Sequence, residues 1–144
     1  MKKTAVVYWS STGNTEAMAA AMAEGAKDAG AEVELLTVDK ADAAALSEAK
    51  AFALGCPAMG AEVLEEGEME PFMAELDSQI AGKTIALFGS YGWGGGEWMR
   101  DWESRVVSDG AAVLSGEGII ADNAPDDDVL AECRAAGAKL AALV

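Results

Sequence analysis

A run of hydroxyl and amide side chains, Ser10-Ser11-Thr12-Gly13-Asn14-Thr15, is the first segment of the chain that could bind a ligand. It follows an apolar run and leads directly into a helical pattern, so its backbone N–H groups lie at a helix N-terminus, where the helix dipole favours an anion. The run lacks the G-K-[ST] ending of a nucleoside triphosphatase loop and the G-x-G-x-x-G pattern of a dinucleotide site. These neutral donors favour a single terminal phosphate, and the alternative is an ordinary Ser/Thr-rich helix cap.

Two further loops offer apolar and aromatic surface. Residues 55–62 read G-C-P-A-M-G-A-E, and Met59 there either provides an apolar contact for a flat ligand or fills a gap in the core. Residues 90–96 read S-Y-G-W-G-G-G, where glycines let the backbone approach a ligand closely and Trp93 can stack on a flat ring. The alternative for this segment is a mobile glycine loop with a surface tryptophan. Together the three loops outline a flat heteroaromatic ring on a polyol phosphate, which is flavin mononucleotide (FMN).

Alternating hydrophobic patterns predict the elements that carry these loops. Strands are predicted at 4–9, 32–38, 51–56, 84–89 and 111–120, and helices at 14–29, 42–48, 71–82, 97–108 and 126–143. Gly116 and Gly118 indicate a bulge or break in the fifth strand. Strands that are apolar throughout are typical of a parallel sheet covered on both faces, so we expect a three-layer α/β sandwich formed by one domain over residues 1–144. Trp98 and Trp102 lie at helical spacing and are predicted to be core, and Trp9 is predicted to pack rather than to contact ligand.

The composition excludes several classes of function. The 144 residues include 10 Lys+Arg and 25 Asp+Glu, for a net charge of −15, and 51% are hydrophobic. This charge argues against nucleic acid and anionic membrane surfaces and favours basic protein partners. No apolar run approaches a membrane span, and the N-terminus is too short for a signal peptide, so we expect a cytoplasmic monomer.

Histidine is absent, which removes Ser-His and Cys-His nucleophile pairs and the commonest zinc ligand. Cys56 and Cys133 are far apart in the sequence and are interpreted as two reduced thiols rather than a metal site. An acidic pair after the first strand, as in response-regulator receivers, is missing. Cys56 also lacks the Cys-x5-Arg spacing of low-molecular-weight phosphatases.

The segments V-Y-W-S-S-T-G-N-T-E-A-M-A, G-C-P-A-M-G and L-F-G-S-Y-G-W-G-G-G-E-W-M-R-D-W closely resemble the short-chain flavodoxins of anaerobic bacteria, and the likeness covers essentially the whole chain. The resemblance implies a five-stranded parallel sheet in the flavodoxin-like order 2-1-3-4-5. It also implies an electron-transfer protein rather than an enzyme, a low-potential one-electron carrier in which FMN cycles between semiquinone and hydroquinone. The implied partners are ferredoxin- or flavodoxin-dependent oxidoreductases with basic docking surfaces. An FMN-dependent NAD(P)H quinone or azo reductase is the alternative.

The resemblance also implies which residues hold FMN. The implied set is Ser10, Ser11, Thr12, Gly13, Asn14, Thr15, Pro57, Ala58, Met59, Gly60, Ala61, Glu62, Ser90, Tyr91, Gly92, Trp93 and Gly94. Within it, residues 10–15 hold the phosphate with help from Ser90, and Met59 and Trp93 lie on the inner and outer faces of the flavin. The Gly60 carbonyl would turn toward flavin N5–H, and Glu62 would accept a hydrogen bond from N3–H.

Ala61 departs from the Asp or Ser that is frequent in relatives. The turn around it is expected to place Gly60 or Ala61 at positive φ in one of its states, with Ala61 favoured as the strained residue. The glutamates that follow are expected to oppose the anionic reduced flavin and also to form a docking surface. They are Glu62, Glu65, Glu66, Glu68 and Glu70.

Overall fold

The structure, a computed structural model, describes residues 2–144. In these residues short apolar strands alternate with amphipathic helices, as the sequence pattern predicts. The elements are β1 (Lys3–Tyr8), α1 (Asn14–Asp28), β2 (Glu32–Thr37), α2 (Ala43–Leu46), β3 (Ala51–Gly55), α3 (Met69–Leu76), β4 (Thr84–Tyr91), α4 (Glu97–Ser108), β5 (Ala112–Val113), β6 (Ile119–Asp122) and α5 (Asp127–Leu143).

The strands form one sheet in the order β2-β1-β3-β4-β5, and every pair is parallel. This confirms the α/β sandwich and the strand order that the resemblance implied. The loops after β1, β3 and β4 therefore meet at the carboxyl edge of the sheet. The prediction of one domain over residues 1–144 includes Met1, which lies outside the described residues.

The central strands β1, β3 and β4 are buried on both faces, with successive side chains entering opposite cores, whereas the edge strand β2 has no buried residue. In β3, Phe52 and Leu54 enter the core that lies against α3 and α4, whereas Ala51 and Ala53 enter the core that lies against α1 and α5. These two cores produce the three layers.

The fifth strand is split, which corrects the single strand predicted at 111–120. β5 pairs with the start of β4 and β6 with its end, where Phe88 lies opposite Ile119. Between them the chain leaves the sheet at Ser115 and Gly116, whose φ values are 62° and 86°. The glycines had indicated a break there, and the structure shows that the break is complete, giving a sixth strand.

α3 also differs from its prediction at 71–82. It begins at Met69, so Pro71 occupies the third helical position, where an N–H has no partner inside the helix and its loss costs nothing. It ends at Leu76, after which the chain turns, with Gln79 N donating to Leu76 O (2.8 Å). Ile80 is buried as predicted, but it enters the core from this turn.

α1 and α5 pack against each other through glycine. A Cβ at Gly25 would collide with the carbonyl oxygen of Arg134, and a Cβ at Gly137 would collide with the carbonyl oxygen of Met22. The two contacts are reciprocal, since each helix places a glycine against the backbone of the other. The absence of two side chains therefore sets the distance between these helices.

An ionic cluster joins α3 to α4. Arg105 donates to both carboxylate oxygens of Asp77 and to Glu70, with its shortest contacts at 2.8 Å. Asp109, at the end of α4, lies beside Asp77 with its buried Oδ2 unpartnered among the described residues. Burial and the neighbouring Asp77 carboxyl raise the pKa of Asp109 to about 6. Burial opposes ionisation of Asp77 as well, but its hydrogen bonds with Arg105 prevail and hold the pKa of Asp77 below its ordinary value.

Asp109→Asn is expected to stabilise the protein at pH 7.5 by about 1 kcal/mol and to have little effect at pH 4. The folded state raises the pKa of Asp109, so the stabilisation from its protonated form is complete below the ordinary pKa and is lost as pH rises through about 6. Asparagine keeps a neutral group at all pH values. Urea unfolding of both proteins at pH 4 and pH 7.5 measures the difference.

The matched control for this substitution is Asp28→Asn. Asp28 also ends a helix, but it is exposed and has no pairing with a second acid in the structure. Any gain there at pH 7.5 should be smaller than the gain from Asp109→Asn. An Asp109→Asn protein whose gain is equal at pH 4 and 7.5 would contradict a raised pKa of Asp109 in the folded protein.

Candidate cofactor-binding site

The loop after β1 is closed by its own first hydroxyl. Ser10 Oγ accepts hydrogen bonds from Gly13 N (3.2 Å) and Glu16 N (3.3 Å), which folds the loop back over the start of α1. Gly13 is the N-terminal cap of α1 at φ 95° and has no side chain that could cap the helix. The first two N–H groups of the helix, those of Asn14 and Thr15, are therefore left uncovered.

Those uncovered donors fit an anion. The backbone N–H groups of Thr12, Asn14 and Thr15 donate to no residue in the described range 2–144. The side chains of Ser11 and Thr12 are exposed beside them. Convergent neutral donors at a helix N-terminus suit a phosphate group, as the sequence predicts.

Ser90 connects the three loops. Its hydroxyl lies 3.2 Å from Thr15 Oγ1, and its carbonyl oxygen accepts from Ala58 N at 3.0 Å. Thr15 and Ser90 are both buried, with 1% and 5% of their surface exposed. Because Ser90 ends the buried part of β4, the loop after β1 and the loop after β3 are fixed to the same central strand.

The loop after β3 is a closed turn. Met59 and Val63 exchange two backbone hydrogen bonds of 2.9 Å, so residues 60–62 form its tip. Met59 is half-buried rather than core, which leaves it available as an apolar contact. Pro57 is half-buried and Ala58 is buried, and both lie at the base of the turn.

Positive backbone torsions in this turn fall on Gly60 (φ 50°) and Glu62 (φ 54°). Ala61 does not have a positive φ, so the strain expected at Ala61 is absent from this conformation. Glycine adopts such torsions freely, whereas the left-handed region costs about 1–2 kcal/mol at Glu62. A strained glutamate suggests that its side chain makes compensating contacts.

Those contacts lie on the third loop. Glu62 Oε1 accepts from Gly96 N (3.1 Å) and Glu97 N (2.9 Å), at the first turn of α4. A Cβ at Gly94 would collide with the Glu62 carboxylate, so a side chain there would displace the carboxylate from these two N–H groups. The turn after β3 is thereby joined directly to residues 92–96, the glycine segment.

Trp93 projects from the glycine segment with 55% of its surface exposed. Gly92, Gly94 and Gly95 of the same segment are exposed as well. Tyr91 is half-buried at its base, with its ring 5.6 Å from that of Trp98. An indole in this position can cover a flat ligand, which is the role that the sequence analysis assigns to it.

A fourth loop, after β6, was missed by the sequence analysis. Asn123 N donates to Tyr91 O (2.7 Å), and Asn123 Oδ1 would lie 3.2 Å from a Cβ at Gly92. Asn123 has φ 60°, a torsion that Asn tolerates better than most residues. The available signal was A-D-N-A-P directly after an apolar run, but the strand predicted at 111–120 ended two residues before the end of β6, so the loop that follows was not considered.

The acidic segment after the turn is partly engaged within the protein. Glu65 accepts from the backbone N–H groups of Gly67, Glu68 and Met69 at 2.7, 2.7 and 3.0 Å. Burial opposes its ionisation, but these three donors prevail and hold the pKa of Glu65 below its ordinary value. Glu70 pairs with Arg105, so Glu66 and Glu68 are the members whose charge is most exposed.

The remaining tryptophans and the cysteines have structural environments. Trp98 and Trp102 are each 1% exposed, which confirms the core prediction, and Trp9 packs against the core while its indole N–H donates to Glu68 (3.3 Å). Cys56 and Cys133 lie in different cores, and burial raises the pKa of each thiol to about 12. Neither is a reactive thiolate at neutral pH.

Within residues 2–144 there is no cluster of His, Cys, Asp or Glu that could hold a metal ion. None of the helices in that range combines the length and apolar character needed to cross a membrane.

The chain matches the family model described as Flavodoxin over residues 6–137. It is 48% identical over 122 residues to the flavodoxin of Clostridium beijerinckii, covering 85% of this chain and 88% of that protein. It is 45% identical over 133 residues to the flavodoxin of Megasphaera elsdenii, covering 90% and 96%. The solution structure of the two-electron reduced M. elsdenii flavodoxin superimposes with a TM-score of 0.86 at 43% identity, covering 94% of this chain and 98% of that one.

Proposed function

This chain belongs to the flavodoxin family, and from that membership and the geometry of its loops we propose that it carries single electrons between other redox proteins on a non-covalently bound FMN. Flavodoxins bind FMN and are electron-transfer proteins rather than enzymes. When bound, FMN supplies the redox chemistry by cycling between its semiquinone and hydroquinone states. The observation that carries the proposal is the meeting, at one sheet edge, of uncovered helix donors, a half-buried methionine and an exposed tryptophan.

We assign the phosphate to the start of α1. The N–H groups and hydroxyls of residues 10–15 surround that position, and the Ser90 hydroxyl supports Thr15 from β4. The donors are neutral, so the net charge of the bound phosphate is not cancelled. An uncancelled phosphate charge disfavours adding a second negative charge nearby.

The flavin ring is assigned to the space between the turn at 57–62 and the segment at 90–94. Met59 covers one face and Trp93 the other, so the two side chains exclude water from the ring. The Gly60 carbonyl is assigned to accept a hydrogen bond from ring N5–H, and Glu62 to accept one from N3–H. This hydrogen bond can form only when N5 carries a proton. It therefore stabilises the N5-protonated flavin by about 0.5–1.5 kcal/mol.

The surrounding acids lower the second reduction potential, which is that of the step from semiquinone to hydroquinone. One carboxylate about 10 Å away, at an effective dielectric constant of about 40, disfavours a new negative charge by roughly 0.8 kcal/mol. That is about 35 mV for one electron. The Arg105 contacts neutralise part of this effect at Glu70, so Glu66 and Glu68 contribute most within the acidic segment.

The same acids are proposed to dock redox partners with basic surfaces, such as ferredoxin- or flavodoxin-dependent oxidoreductases. The net charge of −15 gives the chain a field that attracts such partners. We place the protein in the cytoplasm as a monomer, with neither nucleic acid nor membrane among its partners.

The purified protein tests the proposal directly. We expect flavin absorbance bands in the pure protein, released FMN after denaturation, and two separate one-electron steps in a redox titration. We also expect no steady-state consumption of NADH or NADPH by the protein alone. Absence of bound flavin, or a failure of the flavin-free protein to bind FMN, would refute the proposal, and NAD(P)H turnover would favour the reductase alternative.

Electron transfer to a basic cytochrome is expected to slow by roughly tenfold as the salt concentration rises from 10 to 150 mM. The Debye length falls from about 30 Å to about 8 Å over this range, which screens the attraction between the two surfaces. Stopped-flow mixing of the reduced protein with the cytochrome measures the rate constant.

Two charge variants locate the docking surface. Glu66→Gln removes a charge from the acidic segment and should lower the low-salt rate, whereas Glu34→Gln removes an exposed charge from β2 and should not. A rate that is flat or rises with salt would remove the acidic docking surface from the proposal.

A further inference from the structure

The start of α4 depends on a side chain from another loop. Its own N-terminal cap is Gly96, at φ 86°, which has no side chain to offer the first N–H groups. Glu62 takes that role from 34 residues away, through Oε1 bonds to Gly96 N and Glu97 N. A carboxylate in this place also interacts favourably with the positive end of the helix dipole.

Both loops are shaped around this carboxylate. The hydrogen bonds between Met59 and Val63 close the turn that presents Glu62, and Glu62 itself adopts a positive φ. On the other side, Gly94 leaves the space that the carboxylate fills. A contact that requires an unusual torsion in one segment and a missing side chain in the other is a specified feature of the fold.

The contact fixes one end of the segment that carries Trp93. The other end is fixed where Asn123 N donates to Tyr91 O at 2.7 Å. Between these two points the exposed backbone of residues 92–95 makes no hydrogen bond to the rest of the described chain. The position of Trp93 relative to Met59 therefore depends on Glu62.

We propose that Glu62 is a positioning residue, which caps α4 from the opposite loop and sets the separation of the Met59 and Trp93 loops before any ligand binds. The proposal rests on the assignment of FMN to the space between these loops. Oε1 makes both backbone contacts, while Oε2 accepts nothing from residues 2–144. One carboxylate can therefore hold the helix with one oxygen and receive a ligand N–H with the other.

Hydrogen exchange of the FMN-free protein tests the cap without any ligand. Glu62→Ala is expected to speed exchange of the Gly96 and Glu97 amides by roughly tenfold relative to the parent chain. Glu62→Gln should restore slow exchange, because its carbonyl oxygen can accept the same two bonds. Asp126→Ala, which removes the side-chain cap of α5 at Val129 N, should speed exchange in α5 and leave Gly96 and Glu97 unchanged.

Binding measurements then connect the cap to the ligand space. Glu62→Ala should weaken FMN and riboflavin by equal factors, since it removes both the proposed N3–H acceptor and the cap that sets the ring space, while residues 10–15 are not disturbed. Unchanged exchange at Gly96 and Glu97 in Glu62→Ala would overturn the proposal even if FMN affinity fell. If the parent chain bound no flavin, the proposed function would fail, while the exchange result would still decide whether the cap exists.

Discussion

Replacing Gly137 with alanine is expected to destabilise the protein by about 3 kcal/mol. In most helices this substitution stabilises by up to about 1 kcal/mol, because alanine has the higher helix propensity. Here a Cβ would enter the carbonyl oxygen of Met22 on α1, and backbone cannot move aside as a flexible side chain can. The helices must separate, which opens the core between them and the sheet. Urea unfolding of the FMN-free protein, followed by circular dichroism, measures the change without a contribution from ligand binding.

Two further variants make the result specific. Gly25→Ala should cost a similar amount, because its Cβ would meet the carbonyl oxygen of Arg134 in the reciprocal contact. Ala135→Gly, at an exposed position of α5, should cost only the helix-propensity difference of about 1 kcal/mol. A Gly137→Ala protein as stable as the parent would mean that α1 and α5 do not touch at this point.

Replacing Thr15 with valine is expected to weaken FMN binding by roughly 10- to 100-fold and to leave riboflavin binding almost unchanged. The range is that of a hydrogen bond to a charged group, about 1.5–3 kcal/mol. The Thr15 hydroxyl is buried against Ser90 and receives Ser90 N at 3.4 Å, so valine keeps the shape while removing the link between the phosphate loop and β4. Fluorescence titration with the two ligands gives both affinities, and only FMN carries the phosphate.

Thr4→Val is the matched control. Thr4 is also buried and donates to Ala51 O (2.7 Å), but it lies at the opposite end of β1. Its loss should lower stability without changing the ratio of the two affinities. Equal weakening of FMN and riboflavin in Thr15→Val would place Thr15 away from the phosphate.

The layers and the order of elements could be predicted because burial imposes strong patterns on the sequence. β3 and β4 are apolar on both faces, which is typical of a parallel sheet covered on both faces, and Trp98 and Trp102 share one helix face that is fully buried. The three loops could be singled out because hydroxyl-rich, glycine-rich and aromatic segments follow the strands, and their role in binding stays a prediction. Strand order came from the resemblance, since no hydrophobic pattern encodes which strands are neighbours.

The parts that could not be predicted depend on contacts between distant residues. The start of α3 is set by Glu65, whose carboxylate accepts three backbone hydrogen bonds. The spacing of apolar residues does not predict these hydrogen bonds. Ala61 was favoured as the strained residue because it departs from relatives, whereas the strain lies at Glu62, where a contact 34 residues away compensates for it. The contact of Asn123 with Tyr91 was not predicted because the fifth strand was predicted to end at residue 120, two residues before β6 ends.

The break between β5 and β6 also bears on how this chain could be lengthened. Each strand is held by its own register on β4, so neither depends on the residues that join them. Those residues include Ser115, Gly116 and Glu117, which are exposed. They lie away from the carboxyl edge of the sheet, where the loops after β1, β3 and β4 meet. Doubling a flexible loop costs only about 0.6 kcal/mol in closure entropy. This interruption is therefore a natural position for inserting a reporter peptide or a whole second domain, which would leave the edge proposed to bind FMN unobstructed.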